Sequence, residues 1–153
     1  MRRQEREIKD IKIMEDIIEK AYFCRLGLSD SGRPYIVPLC FGYRDGVFYF
    51  HSALEGKKIE IIKRNNHVCI ELDTDSKLIP GPKACSFALA YRSIMAFGQA
   101  SLITEAEEKQ RALDIIMEHY TDGAWSYDDS VVERTAVVKV EIDSMTGKQS
   151  RIS

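Results

Sequence analysis

The segment Tyr35–Asn65 constrains the fold more than any other part of this sequence. It contains two strand-like runs on either side of Asp45-Gly46, a dipeptide that favours a tight hairpin because glycine tolerates positive φ. A helical pattern over Gly56–Asn65 follows almost directly. The segment therefore predicts a β-hairpin and a helix separated by only a few residues.

Two adjacent lysines, Lys57 and Lys58, lie in the first turn of that predicted helix. A helix N-terminus already carries partial positive charge and orphan N–H groups, so each cation there costs about 0.3–1 kcal/mol. An anion bound at the helix start would make the arrangement favourable, and a phosphate is the obvious candidate. The alternative is that both lysines point into water and Glu55 compensates them. The pattern alone leaves both interpretations open.

Periodicity predicts two further helices and a set of strands. Apolar spacing indicates an amphipathic helix over residues 8–21, and a second helix over residues 105–119 begins with a capping box of Thr104 and Glu107. Gly98 predicts a bend or bulge in a long strand. Strand-like runs cover residues 21–28, 67–73, 85–103 and 135–142, and residues 74–83 read as a polar loop.

Pro38 indicates where the first hairpin strand lies in the sheet. Proline removes a ladder donor, so this strand is expected at an edge or at a bulge. With the hairpin, the sequence contains six strands, joined mostly by short turns, and three helices. This order predicts an α+β fold built on a small antiparallel barrel. The length of 153 residues predicts one domain over residues 1–153.

Composition excludes several classes of protein. The net charge of −2 offers no field that attracts nucleic acid or an anionic membrane. No stretch approaches the roughly 18 apolar residues of a membrane span, so we expect a cytoplasmic protein. Four cysteines, at positions 24, 40, 69 and 85, stand singly in apolar runs and lack zinc-type spacing. We expect them to be buried and reduced, and we predict no metal site.

The hairpin segment has the parts that a flavin mononucleotide (FMN) site requires. Lys57 and Lys58 at a helix start supply cations and amide groups for the phosphate. The edge strand Val37–Phe41 offers a flat wall with free main-chain groups for the isoalloxazine ring. The partner strand ending at His51-Ser52-Ala53 is expected to lie alongside it. Many small barrels place a helix after a hairpin, so this signal is only moderately specific.

Five motifs carry a resemblance to a known family. In this order and spacing, the chain resembles the flavin-binding split-barrel superfamily of pyridoxamine-phosphate oxidases, and within it the nitroimidazole-resistance (Nim) branch. The resemblance covers about residues 10–150. The motifs are PLCFGY at Pro38–Tyr43, YFHSA at Tyr49–Ala53, EGKK at Glu55–Lys58, YRSIMAFGQA at Tyr91–Ala100 and VEIDSMTGK at Val140–Lys148.

The resemblance implies a six-stranded antiparallel split β-barrel with flanking helices, and a homodimer with two flavin sites at the subunit interface. It assigns Lys57 and Lys58 to the phosphate and His51, at the end of its strand, to the flavin site as a functional group. The ring would be held by main-chain groups, and two β-strand side chains would approach the same site. These ring-binding positions are Val37, Pro38, Leu39, Cys40, Phe41, His51, Ser52 and Ala53, and the approaching side chains are Tyr91 and Ser93.

The chain departs from the oxidase pattern in its C-terminal part. Oxidases of this family carry an arginine-rich group there that holds the substrate phosphate, whereas this sequence has only Arg134 and Arg151 after the last helix, outside that pattern. We therefore do not expect oxidation of vitamin B6. The other two histidines, His67 and His119, are interpreted as structural. Aromatic residues of the loop 121–129 and its flanks either cover a ring or plug a barrel end.

The resulting hypothesis is a flavin-dependent reductase that acts on a small, electron-poor molecule such as a nitroimidazole or another nitroaromatic. FMN is the expected cofactor and FAD the alternative, and His51 is the candidate proton donor. Two other hypotheses stay open. One is a non-catalytic module that stores or senses flavin, and the other is a haem-binding split barrel.

Overall fold

The computed structural model describes residues 3–152, in which an antiparallel sheet is combined with helices. The helices are α1 (Ile11–Lys20), α2 (Lys57–Arg64), α3 (Ala106–Glu118) and α4 (Asp129–Glu133), with single 3₁₀ turns at Gln4–Arg6 and Ala84–Ser86. The strands are β1 (Glu7–Ile8), β2 (Cys24–Asp30), β3 (Arg33–Leu39), β4 (Gly42–Arg44), β5 (Val47–Ala53), β6 (His67–Ile79), β7 (Ala88–Ile103) and β8 (Thr135–Ser150).

All the strands belong to one sheet in the order β3-β2-β6-β7-β8-β5-β4, and β1 pairs additionally with β8. Every pairing is antiparallel. The predicted α+β class with an antiparallel sheet is therefore confirmed. β3 lies at one end of the sheet, which confirms the edge position predicted from Pro38.

The strand count differs from the prediction. Within residues 3–152 the sheet has eight strands instead of six. One added strand is β1, whose two residues are too short to leave a periodic signal. The other arises because the chain leaves the ladder at Cys40 and Phe41, which divides the first hairpin strand into β3 and β4.

The hairpin turn forms as predicted, but its partner strand is a different one. Asp45 and Gly46 adopt φ values of 51° and 80°, which are the left-handed conformations of a tight hairpin turn. The hairpin joins β4 to β5, whereas β3 pairs with β2. The expectation that Val37–Phe41 lies alongside His51–Ala53 as a ladder neighbour is therefore wrong. β3 instead folds back onto β2 through the two-residue turn Ser31-Gly32, with φ values of 53° and 87°, and the break at Cys40-Phe41 separates it from β4.

Several element boundaries also differ. β6 continues through Ile79, where a polar loop was predicted, because its second half pairs with β7 as a hairpin arm. β8 runs to Ser150 instead of ending at Ile142. The predicted capping box of Thr104 and Glu107 is wrong. The N-cap of α3 is Glu105, and no side chain forms a capping hydrogen bond there. The bulge at Gly98 is confirmed by the shift in register between Phe97 and Gly98.

One apolar core receives side chains from α1, α2 and both halves of the sheet. Its largest fully buried members include Phe41, Phe48 and Phe50. The Phe48 ring lies between the other two and packs against both. No helix among residues 3–152 combines the length and the apolar character needed to cross a membrane.

The cysteines are all free, but only some are buried. Cys24 is buried, as predicted, and Cys69 is half-buried. Cys40 and Cys85 are exposed, so the expectation of burial is wrong for both. Cys40 follows the last residue of β3, and Cys85 lies in the 3₁₀ turn before β7, where the chain runs over the surface.

Candidate functional site

The start of α2 is an uncapped helix N-terminus with two lysines. Gly56 occupies the N-cap with φ 125° and ψ 165°, a backbone conformation that residues other than glycine rarely adopt. No side chain of the described residues bonds to the N-terminal N–H groups of α2. Lys57 and Lys58 are the first two residues of the helix. The first turn thus presents free amide donors and two ammonium groups together.

The two lysines have different surroundings. Lys57 is exposed, and its ammonium nitrogen lies 4.8 Å from the centroid of the Tyr35 ring. Lys58 is half-buried, and burial lowers its pKa below the usual value for lysine. Neither lysine forms an ion pair with a residue in the described range 3–152, and Glu55 in particular does not pair with them. The two ammonium groups are therefore not in ion pairs among the described residues, although Glu60 also lies in the first turn of α2.

Successive side chains of β3 alternate between a half-buried face and an exposed face. The side chains of Val37 and Leu39 are half-buried and pack against the core. Ile36 is 64% exposed, and Pro38 and Cys40 are exposed beside it. In the part of the chain that the structure describes, β3 has a partner on one side only. The strand thus offers an apolar outer face and an unpaired main-chain edge, as a ring-binding wall requires.

The end of β5 has a second unpaired edge. Its ladder with β4 stops at Gly42 opposite Tyr49, whereas its ladder with β8 continues to Ala53 opposite Thr135. Along Phe50–Ala53 the main chain is therefore paired only with β8 among the described strands. His51 and Ala53 are exposed and Ser52 is half-buried.

The structure connects these parts through Lys57. The contact between Lys57 and Tyr35 brings the start of α2 against β3. The same helix start follows Ala53 of β5 after only Leu54–Gly56. The start of α2, the edge strand β3 and the end of β5 thus belong to one region, although β3 and β5 are not ladder neighbours.

Tyr91 and Ser93 lie elsewhere in the sheet. Both are half-buried on β7, with the fully buried Ile94 facing the opposite side. Ser93 is opposite Lys148 on β8, and the Lys148 ammonium lies 5.4 Å from the centroid of the Tyr91 ring. The strand order separates β7 from β3 by β2 and β6, and from β5 by β8. Ladder contacts within one chain do not bring these two residues to Lys57.

Sequence reasoning missed a polar cluster around Phe41. The Phe41 N–H donates to the Tyr120 hydroxyl at 3.0 Å, and that hydroxyl donates to the Tyr22 carbonyl at 2.8 Å. The His119 ring lies 4.3 Å from the Phe41 ring, and its Nε2 is 2.7 Å from the Ala21 carbonyl oxygen. Of the aromatic residues near the loop 121–129, Tyr120 was expected to cover a ring or plug a barrel end. The pattern gave no signal that it bonds to the main chain after β3.

A cleft of about 330 Å³ opens between α1, β4 and α3, but it contains none of the predicted site residues. Glu15, Glu19 and Glu118 line it, and Arg44 at its wall is already paired with Glu118. These carboxylates would repel a phosphate. Among residues 3–152 no three side chains of the His, Cys, Asp and Glu types are grouped to hold a metal ion.

Comparisons with known proteins agree with this architecture. A candidate 5-nitroimidazole antibiotic resistance protein from Bacteroides thetaiotaomicron is 44% identical, with a TM-score of 0.85 over 94% of this chain and 86% of that chain. The comparison with curated proteins found no match.

Two more distant structures share the fold. They are the flavocytochrome Anf3 from Azotobacter vinelandii, with 20% identity and a TM-score of 0.87 over 99% of this chain and 72% of that chain, and a FAD- and haem-binding protein from Mycobacterium smegmatis, with 15% identity and a TM-score of 0.87 over 96% and 74%. The fold is thus the split barrel implied by the sequence motifs.

A family model matches residues 10–149, nearly the whole range over which the five motifs extend. The similarity at 44% identity also confirms the resemblance to the nitroimidazole-resistance branch. On this evidence the chain belongs to the pyridoxamine 5'-phosphate oxidase family.

Proposed function

We propose that this protein binds FMN and uses it to reduce a small, electron-poor substrate such as a nitroimidazole. The observation that carries the proposal is the start of α2, where Lys57 and Lys58 combine with uncapped N–H groups and lack a carboxylate partner among residues 3–152. A dianionic phosphate matches this site in charge and in hydrogen-bonding capacity. The similar protein from Bacteroides thetaiotaomicron, described as a candidate for 5-nitroimidazole resistance, supports the choice of substrate class.

The ring would lie between the two unpaired main-chain edges. Main-chain groups of Val37–Phe41 on one side and of His51–Ala53 on the other have hydrogen-bonding capacity that no neighbouring strand of the described residues uses. The exposed apolar side chains of β3 offer a surface for a flat ring. These are the residues that the sequence motifs assign to the cofactor.

The protein's own contribution to the reaction is orientation and a proton. A bound flavin would supply the electron transfer. His51 is exposed at the end of β5, beside the unpaired edge, where its imidazole ring has access to a substrate. We assign His51 as the proton donor to the reduced substrate.

A second copy of the chain completes the site in this proposal. Tyr91 and Ser93 lie on β7, away from Lys57 in the strand order, and in this proposal they reach the cofactor from the other subunit. The proposed unit is therefore a homodimer with sites at its interface, and each chain is one domain over residues 1–153. Oxidation of a vitamin B6 phosphate is not proposed, because the arginine-rich substrate site is missing.

FMN is preferred to FAD, although the similar folds include FAD-binding proteins. Both cofactors carry the phosphate that the start of α2 suits. Mass analysis of the material released by heat from the purified protein separates them directly. A released flavin supports the proposal, whereas a protein that is colourless and refuses both added flavins contradicts it. A haem spectrum would replace it with the haem-binding alternative.

The enzymatic part has its own test. The flavin of the loaded protein is reduced with one equivalent of a reduced nicotinamide, and the protein is then mixed anaerobically with a 5-nitroimidazole. Reoxidation of the flavin with formation of the reduced nitro product is the expected result. Stable retention of reduced flavin in the presence of the nitro compound would leave only a binding or storage function.

A further inference from the structure

The link between β3 and β4 depends on a single side-chain hydroxyl. Cys40 and Phe41 belong to no strand, so the Phe41 N–H lacks a ladder partner in the described sheet. It donates to the Tyr120 hydroxyl at 3.0 Å. A buried N–H without a partner costs about 1–3 kcal/mol. Tyr120 is thus the residue that satisfies the main chain at this point.

The same hydroxyl is tied to a third segment. It donates to the Tyr22 carbonyl at 2.8 Å, in the short connection between α1 and β2. To accept one hydrogen bond and donate another, the hydroxyl must be protonated. Burial raises the pKa of Tyr120 to about 12, so this condition holds throughout the neutral range. Three segments that are distant in sequence thus meet at one oxygen atom.

His119 holds the same two segments from the side. Its ring lies 4.3 Å from the Phe41 ring, and its Nε2 contacts the Ala21 carbonyl at 2.7 Å. Phe41 is fully buried and also lies 5.5 Å from Phe48, ring to ring. The side chain of Phe41 is therefore fixed by packing, while its main chain is fixed by Tyr120.

We propose that Tyr120 is a positioning residue for the cofactor: its hydroxyl sets the main-chain conformation of Cys40 and Phe41 and thereby the environment of the flavin ring, without touching the flavin. The inference rests on the proposed function, since Cys40 and Phe41 belong to the segment Val37–Phe41 that is proposed to hold the ring. Replacing the hydroxyl by hydrogen frees the Phe41 N–H and allows the link to move relative to β3.

The chain supplies a matched control at Tyr127. Its hydroxyl also donates a hydrogen bond, to Asp114 Oδ1 at 3.0 Å, and burial likewise raises its pKa to about 12. Asp114 is on α3, and within residues 3–152 Tyr127 makes no hydrogen bond to the β3–β4 link. Tyr120→Phe and Tyr127→Phe therefore delete the same atom from the same residue type, but only the first affects the proposed ring-binding segment.

The first experiment uses the flavin-free protein, so that it does not depend on cofactor binding. Amide hydrogen exchange at Phe41 is measured by NMR in the wild type and in both variants. Loss of a hydrogen bond of ordinary strength predicts exchange about 3- to 10-fold faster in Tyr120→Phe. Exchange in Tyr127→Phe should equal that of the wild type. Unchanged exchange at Phe41 in Tyr120→Phe overturns the positioning role.

The second experiment uses the flavin-loaded protein and measures the visible circular dichroism, the reduction potential of the bound flavin and the Kd for FMN. Tyr120→Phe should change the circular dichroism and the reduction potential, and it should raise the Kd for FMN by about 3- to 10-fold. Tyr127→Phe should leave the spectrum, the potential and the Kd unchanged. Equal spectra, potentials and affinities in the two variants overturn the inference while the proposed function stands. A wild-type protein that binds no flavin overturns the proposed function instead, and Phe41 exchange then shows whether Tyr120 still fixes the link.

Discussion

The Lys57 ammonium lies 4.8 Å from the centroid of the Tyr35 ring, which joins the start of α2 to the edge strand β3. A cation over an aromatic face is stabilised by the ring's negative charge distribution. The contact holds the Lys57 ammonium at the start of α2. It does not neutralise the positive charge, because Tyr35 is uncharged. The lysine is thereby held in place and remains able to attract an anion.

The anchor assignment predicts the effect of removing both lysines. Lys57→Ala combined with Lys58→Ala should weaken FMN binding by about 100-fold or more, because two charge-assisted hydrogen bonds to the phosphate are lost. Isothermal titration or fluorescence quenching measures the change. Lys63→Ala is the matched control, since Lys63 is an exposed lysine in the last turn of the same helix. Equal FMN affinity in the double variant and in the control contradicts the anchor.

The lowered pKa of Lys58 predicts a pH dependence. A bound phosphate stabilises the charged ammonium and raises its pKa, so affinity should be constant at neutral pH. It should fall as the pH rises through the lowered pKa of Lys58 in the free protein, which lies below 10.5. Lys58→Arg should bind FMN without this alkaline decline, because a guanidinium stays charged.

The stability of the flavin-free protein should increase over the same pH range in which the affinity for FMN decreases. A lysine whose pKa is lower in the folded state than in the unfolded state holds its proton less tightly when folded. Protonated Lys58 therefore costs stability at neutral pH, and this cost disappears as the pH rises from the lowered pKa towards 10.5. Urea unfolding of the flavin-free wild type and of Lys58→Met over this range measures the difference. A parallel pH trend in both proteins would contradict the assignment to Lys58.

The parts of the site that sequence predicted are those determined by local chemistry. The turn at Asp45-Gly46 depends on two backbone conformations, and the lysine pair depends on the start of α2. The pairing of β3 with β2 is local as well, because the two-residue turn Ser31-Gly32 joins the two strands, with φ values of 53° and 87°. It was mispredicted because the break after β3 leaves no periodic signal. Tyr120 was missed because its partners Tyr22 and Phe41 are remote in sequence.

His51 is expected to affect the rate more than the affinity. His51→Ala should retain FMN, since the strand supplies main-chain groups to the ring, but should slow product formation from the nitro substrate by about 100-fold, as loss of a general acid does. His67→Ala is the control, because His67 is exposed at the start of β6, away from the end of β5. Stopped-flow reoxidation measures both rates. Equal rates in wild type and His51→Ala would remove the proton-donor role.

The four thiols should react in a defined order. Cys40 and Cys85 are exposed and should react promptly with a disulfide reagent. Burial raises the pKa of Cys69 and raises that of Cys24 to about 12, so Cys69 should react slowly and Cys24 only after unfolding. Mass spectrometry after timed labelling gives the order. Added FMN should slow the labelling of Cys40 but not that of Cys85, because only Cys40 lies in the proposed ring-binding segment.

Gly42 should resist substitution because β4 and α3 approach closely there. A Cβ at Gly42 would lie 2.6 Å from the Ile115 carbonyl oxygen and 2.7 Å from adjacent main-chain atoms. Main-chain atoms of a helix cannot move aside easily, so Gly42→Ala should lower the free energy of unfolding by about 1–3 kcal/mol. Gly27→Ala, whose nearest contact would be 3.3 Å from the Cys69 carbonyl oxygen, should cost less. Urea denaturation compares the two, and an equal loss would mean that the approach to α3 is not the cause.

The position of β8 in the chain determines when the proposed flavin site can form. The strand pairs with β7, β5 and β1, and His51 on β5 is opposite Val137 on β8. On the ribosome, β5 therefore emerges long before the strand that supports it, and the helix start that follows β5 emerges with it. A nascent chain has the lysines proposed to bind phosphate but not the sheet that holds them in place. On the proposed function, cofactor loading therefore follows translation of the last strand and does not guide folding from the start.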